Sequence, residues 1–253
     1  MRILLVNDDG ILAPGLAALH AAVRDMGEVY VVAPDSPQSA AGRSLTLHAP
    51  IFCQQVHVGG AFWGWGVSGR PADCVKLAIR ELVPCRPDLV LSGINAGANV
   101  GVNVYYSGTV AAAAEGALMG LPSVAFSLAS GGEFDFQRAA RYCRAALDHL
   151  LAVPIGPGEL INVNIPEIRG QEPRGIQVLP QSTAAISESY IRQEEGGRLI
   201  FRLADEYAHG PQDAPTDVTA IDEGYITVTP LHSDMTNHKR LGELARSDWN
   251  TQI

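Results

Sequence analysis

Five short stretches of the chain are apolar with little interruption: RILLV at 2–6, VYVVAPD at 29–35, PDLVLSGIN at 87–95, PSVAFSLA at 122–129 and LINVNIP at 160–166. A strand that is apolar on both sides is buried on both sides, which is the habit of parallel sheets covered by helices. Between these runs the apolar positions fall at helical spacing. Helices are predicted over PGLAALHAAVRDM at 14–26 with Gly27 as the stop, RPADCVKLAIREL at 70–82, TVAAAAEGALMG at 109–120 and an amphipathic stretch at 136–152. LTLHAPIFCQQV at 45–56 alternates only in part and suits a strand or one arm of a hairpin. Strand and helix in alternation imply βαβ units, an α/β fold with a mostly parallel sheet and helices on both faces.

After about residue 165 the texture changes. GIQVLPQ at 175–181, LIFRLADEYAH at 199–209 and VTAIDEGYITVTPL at 218–231 read as antiparallel strands, and the tail from His232 to Ile253 is polar, helical in part, with one Trp249. The expected division is a core over 1–180, then a hairpin, a returning strand and a tail over 181–253. No internal repeat or low-complexity tract interrupts either part.

Composition narrows the class of protein. A chain of 253 residues, 47% hydrophobic and 18% charged, is ordinary for a soluble globular protein. A net charge of -9 argues against a nucleic-acid polymer as partner, because phosphate neutralisation needs clustered Lys and Arg. A small phosphorylated molecule stays open, since one local site can oppose the global charge. Cys53, Cys74, Cys85 and Cys143 form no CxxC pair and read as reduced, mostly buried thiols. The first apolar run stops at Val6, too short for a signal peptide, and no segment reaches the ~20 apolar residues of a membrane span. A cytoplasmic protein with no membrane partner is expected.

Polar clusters follow three of the strands. Asn7-Asp8-Asp9 closes the first, Asp35 to Ser39 the second, and Ser92-Gly93-Ile94-Asn95 the run at 87–95. Open parallel sheets bind ligands outside the carboxyl ends of their strands, so the fold brings these clusters together. The first turn lacks GxGxxG, which disfavours a dinucleotide pyrophosphate there. Two adjacent carboxylates repel, and a divalent cation would offset that. Asp8, Asp9, a serine hydroxyl and an asparagine carbonyl are hard oxygen donors that suit Mg²⁺, Mn²⁺ or Ca²⁺ and not zinc. The plainer alternative is one capping and one solvated aspartate. Tyr106-Ser107-Gly108-Thr109-Val110 opens the helix at 109, where free N–H groups bind anions. There the plainer alternative is Ser107 as an ordinary N-cap.

NDDG at 7–10, APDSPQSAAGRSLTL at 33–47, PADCV at 71–75, SGINAGANVG at 92–101, YSGTVAAAAEGA at 106–117 and GYITVTPL at 224–231 run in order along most of the chain. Together they resemble the SurE family of survival-protein 5'/3'-nucleotidases. The resemblance implies a Rossmann-like core and a C-terminal extension exchanged between subunits of a homodimer or homotetramer. It implies a metal-dependent phosphomonoesterase acting on nucleoside monophosphates, and in some members on short polyphosphate. The family's metal ligands fall on Asp8, Asp9, Ser39 and Asn95, for one Mg²⁺ or Mn²⁺ per subunit. Its phosphate-side residues fall on Ser107, Gly108 and Thr109, with Asn95 and Asn99 beside the substrate. Asp8 is the candidate to orient or deprotonate the attacking water, and backbone N–H groups at 108–109 would stabilise the phosphoryl oxygens. Two departures from the family pattern are Arg70 before Pro-Ala-Asp and Ala40-Ala41 in the loop after the second strand. The competing class is a non-catalytic module, receiver-like or nucleotide-binding. A receiver has an acidic first turn too, but Ser92 or Gly93 stands where its phosphoacceptor carboxylate belongs.

Overall fold

Adjacent residues of the apolar runs face opposite sides of one sheet, and each side meets its own pair of helices. A computed structural model of the chain describes residues 1–60, 62–129, 132–156, 158–168, 170–204, 208–211, 214–247 and Trp249. In chain order the elements are β1 (Arg2–Val6), α1 (Pro14–Val23), β2 (Glu28–Pro34), β3 (Cys53–Val58), β4 (Phe62–Val67), α2 (Pro71–Leu77), β5 (Leu89–Ala96), α3 (Gly108–Leu118), β6 (Ser123–Leu128), α4 (Phe136–Leu150) and β7 (Glu159–Ile165). There follow β8 (Ile176–Val178), β9 (Ile186–Ser187), β10 (Tyr190–Glu195), β11 (Arg198–Leu203), β12 (Ala208–His209), α5 (Asp217–Asp222), β13 (Ile226–His232) and α6 (His238–Leu244).

Nine strands form one sheet in the order β3-β4-β2-β1-β5-β6-β7-β13-β8. The run from β4 to β7 is parallel throughout, as the apolar pattern requires. Ile3, Leu5, Val31, Leu91 and Phe126 pack with α1 and α4 on one face. Leu4, Val6, Val32 and Val90 pack with α2 and α3 on the other. The chain leaves β1 towards β2 on one side and returns to β5 on the other. β1 and β5 therefore flank the point where strand order reverses, the position at which such sheets bind ligands.

The structure departs from the sequence pattern in four places. The pattern predicts strand over VTAIDE, but residues 217–222 are the helix α5. A Thr216–Thr219 capping box starts it, and Val218 and Ile221, three apart, bury one face against Val100. GIQVLPQ contributes β8, which lies parallel to β13, while β13 is antiparallel to β7. The returning strand, grouped by sequence with the extension, thus hydrogen-bonds within the main sheet. Strand structure in the 45–56 stretch begins only at Cys53, and its antiparallel partner β4 is FWGWGV, where glycines break the apolar run. Helix α2 stops at Leu77 and continues as a wider π-type turn over Ala78–Leu82. As expected, LIFRLADEYAH carries an antiparallel hairpin arm, β11 paired with β10. Residues 205–207 of that stretch, and 248 and 250–253 of the tail, lie outside the described residues.

Candidate functional site

The turn that ends β1 is built by Asn7. Its buried side chain donates from Nδ2 to the Gly10 carbonyl at 3.0 Å and accepts the Gly10 N–H at 3.2 Å. Asp8 and Asp9 ride on that turn. The loop after β2 is tied to it by Gln38 N–H donating to the Asp8 carbonyl at 2.8 Å, which brings Ser39 alongside. On β5, Gly93 has φ +132°, and a Cβ there would stand 2.3 Å from the Phe126 carbonyl oxygen. Only glycine fits. The pairing with β6 shifts between Ser92 and Asn95, and this irregularity sets the position of Asn95. The Asn95 amide nitrogen donates to Gly97 O at 2.8 Å, and the Ala96 N–H donates to Asp9 Oδ2 at 3.2 Å. The ends of β1 and β5 are thereby joined through a carboxylate.

Helix α3 arrives from the other side. Ser107 is its N-cap, its Oγ accepting the Val110 N–H at 3.1 Å. A Cβ on Gly108 would lie 2.6 Å from Asp8 Cβ, so the glycine is what lets the helix start touch the carboxylate. The Thr109 hydroxyl donates to Asp8 Oδ1, and the Thr109 backbone N–H bonds the same carboxylate. Thr109 is fully buried, and both its donors serve Asp8, where the sequence predicts a phosphate contact.

The result is an open cleft of about 250 Å³ lined by Asp8, Asp9, Ser39, Asn95, Asn99 and Ser107. Gly108 and Thr109 adjoin Asp8 at the edge of this cleft. Asn103 and Tyr106 also line the cleft and were not anticipated as functional. Their one signal is a pair of tyrosines in a loop otherwise made of small residues. A larger cavity of about 410 Å³ lies near Leu128, Phe134 and Arg138. The Arg138 guanidinium there is engaged by Ile168 O, Gln171 O and Glu172, and the cavity is also lined by Glu133, Asp135 and Glu167.

The cleft loop, residues 96–107, is fastened to the body of the fold at Asn99 and Gly101 among other places. Asn99 N–H donates to Asn164 Oδ1 at 2.8 Å, its amide nitrogen to Ser127 Oγ at 2.9 Å, and its carbonyl accepts Asn162 Nδ2 at 2.7 Å. The predicted substrate contact of Asn99 therefore competes with a structural one. Gly101 N–H donates to Asp217 Oδ2 at 2.9 Å, while Asp217 Oδ1 accepts Ser182 N–H at 2.8 Å. Sequence gave no hint of Asp217, because its partners lie far away along the chain.

Burial, aided by the neighbouring Asp9 charge and opposed by the Thr109 bonds, pushes the Asp8 carboxyl up to about 6. Burial also raises Asp9, against the Ala96 hydrogen bond. Among the described residues no ion pair relieves either one. Two carboxylates that are costly to ionise, beside a hydroxyl and an amide carbonyl, are a donor set for a hard divalent cation. Among the described residues no three His, Cys, Asp or Glu side chains converge, so neutral oxygens and water would complete the shell. That composition fits Mg²⁺ or Mn²⁺ and does not fit zinc.

Comparison with known proteins gives a consistent result. The family model for survival protein SurE matches residues 3–188. A 5'-nucleotidase SurE of Rhodopirellula baltica is 44% identical over 252 residues, covering 99% of each chain. One of Desulfitobacterium hafniense is 45% identical over 250 residues, covering 98% of this chain and 97% of its own. The crystal structure of the SurE protein from Aquifex aeolicus superposes with a TM-score of 0.82 at 38% identity, covering 96% of this chain and 98% of that one.

Proposed function

The chain belongs to the SurE family, and on that premise we propose that it is a metal-dependent 5'-nucleotidase, a hydrolase that converts nucleoside monophosphates to nucleoside and phosphate. The observation that carries the proposal is Asp8 held against the start of α3, with Asp9, Ser39 and Asn95 in the same cleft at the sheet's switch point. Asp8, Asp9, Ser39 Oγ and Asn95 Oδ1 would hold one Mg²⁺ or Mn²⁺. Such a cation, when bound, polarises a phosphoryl oxygen and lowers the pKa of a bound water.

The chain's own groups supply the rest. Ser107 and Gly108, at the positive end of α3, face the phosphoryl oxygens. Asp8 orients the attacking water and takes its proton, and Thr109 positions Asp8. Water adds to phosphorus as the P–O bond to the nucleoside breaks, the leaving oxygen takes a proton from solvent water, and Asp8 releases to solvent the one it took. A receiver-like module is disfavoured by the residues present, since Ser92 and Gly93 offer no carboxylate. Short polyphosphate is a further candidate substrate. We take the protein to work in the cytoplasm, and among the described residues no helix is long and apolar enough to cross a membrane. We also assign the hairpin and tail to contact with a second copy, in a homodimer or homotetramer.

The test is phosphate release from a panel of nucleoside monophosphates after chelation. Chelated protein should be inactive, and Mg²⁺ or Mn²⁺ should restore turnover. Full activity in excess chelator would remove the metal from the proposal.

A further inference from the structure

We infer that the Tyr106 side chain is the platform on which the nucleobase stacks, a role that rests on the nucleotidase assignment and extends it to the other end of the substrate. Among the described lining residues Tyr106 is the only aromatic one; its neighbours in the cleft are Asp, Asn, Ser, Ala and Gly. The Tyr106 residue is 60% exposed. A tyrosine on a cleft wall offers a flat apolar face on which another aromatic ring can stack.

Its backbone is not free to move with it. Tyr106 N–H donates to Asn103 O at 3.1 Å, Ser107 N–H to the same oxygen at 3.0 Å, and the Tyr106 carbonyl accepts Gly42 N–H at 3.0 Å. The preceding 3₁₀ turn, Gly101–Tyr105, is held at its start by Asp217 and by Gln181, whose Nε2 donates to Gly101 O at 2.7 Å. The backbone that carries the ring is therefore preorganised, which lowers the entropic cost of binding. It also directly precedes Ser107 and Gly108, the proposed phosphate end. One cleft thus carries an anion-binding end and an aromatic face, the two features a nucleoside monophosphate presents. Stacking tolerates every base and favours the larger purine surface. The adjacent Tyr105, 56% exposed, does not line the cleft.

The experiment compares the full-length wild type with Tyr106→Ala and Tyr106→Phe in Mg²⁺, using AMP, CMP and ribose 5-phosphate. Loss of a stacking partner should reduce kcat/KM for AMP relative to ribose 5-phosphate about ten-fold in Tyr106→Ala, through KM. The reduction should be smaller for CMP, and Tyr106→Phe should keep the wild-type ratio. An equal loss on AMP and ribose 5-phosphate overturns the inference, as does a Tyr106→Phe variant as impaired as Tyr106→Ala. So does a change of oligomeric state with unselective loss, which would make the ring a subunit contact. Wild-type turnover with any of these outcomes leaves the nucleotidase assignment standing. No phosphate release by the wild type from any of the three overturns both.

Discussion

A carboxylate that is nearly buried and, among the described residues, faces no cation is ionised at a cost, and Asp8 bears that cost in the metal-free protein. Its folded pKa of about 6 lies above the unfolded 3.8, so the folded state binds the extra proton. The penalty on folding is absent below pH ~4, grows as pH rises through that window and is complete above ~6. At about 1.4 kcal/mol per unit, roughly two units correspond to at most about 3 kcal/mol. Asp8→Asn removes the charge, keeps the shape and still accepts the Thr109 hydroxyl. In chelator at pH 8 it should melt several degrees above wild type, and at pH 4 the two should coincide. Added Mg²⁺ should raise the wild type and leave the variant where it was. A variant that melts lower at pH 8 without metal would mean that the carboxylate stabilises the fold, against this account. At this scale the sequence was informative about chemistry and less so about direction. The adjacent aspartates and the hydroxyls at the helix start were visible in it. Whether Thr109 meets substrate phosphate or Asp8 depends on how closely β1 approaches α3, and Gly108 sets that approach only in three dimensions.

Among the elements, the both-sided apolar strands were legible because burial on two faces writes itself into every position. Segment 217–222 was not, because VTAI has strand-like composition and the deciding feature is a three-residue spacing of two buried side chains on a short helix. That helix matters to the cleft. Asp217 is fully buried at its first position, and its carboxylate accepts the N–H groups of Gly101, Ser182 and Val218. Asp217→Ala leaves those donors without this acceptor, and each buried unsatisfied donor costs about 1–3 kcal/mol. We expect a loss of roughly 3 kcal/mol or more by denaturant titration, together with a raised KM for nucleotide as residues 96–107 loosen. Asp217→Asn, which keeps one acceptor oxygen, should fall between. Unchanged stability in Asp217→Ala would detach α5 from the cleft.

At the scale of the whole molecule, the main sheet uses its own helices to cover both faces, but the β10–β11 hairpin and α6 are not covered in this way. Among the described residues β10 and β11 pair only with each other, and in their register Tyr190, Leu199, Phe201 and Leu203 share one face with Arg192 and Glu194, each of the four apolar or aromatic side chains lying on a residue more than half exposed. Helix α6 buries none of its residues. An isolated two-stranded hairpin is marginal in water, and an apolar face of this kind marks an interaction surface. The change of texture after residue 165 pointed to antiparallel strands and a hairpin here, but composition does not say whether an apolar side chain meets its own chain or another. Here the chain's own core is already closed, so the partner we assign is a second copy. Light scattering on the intact chain should give at least twice the monomer mass at micromolar concentration. Phe201→Glu combined with Leu199→Lys, on exposed positions that the folded monomer does not bury, should shift it towards monomer without lowering the melting temperature of the main sheet. A wild type that stays monomeric and fully active on dilution would show that the hairpin's apolar face is simply exposed, and the assignment of a second copy would fail.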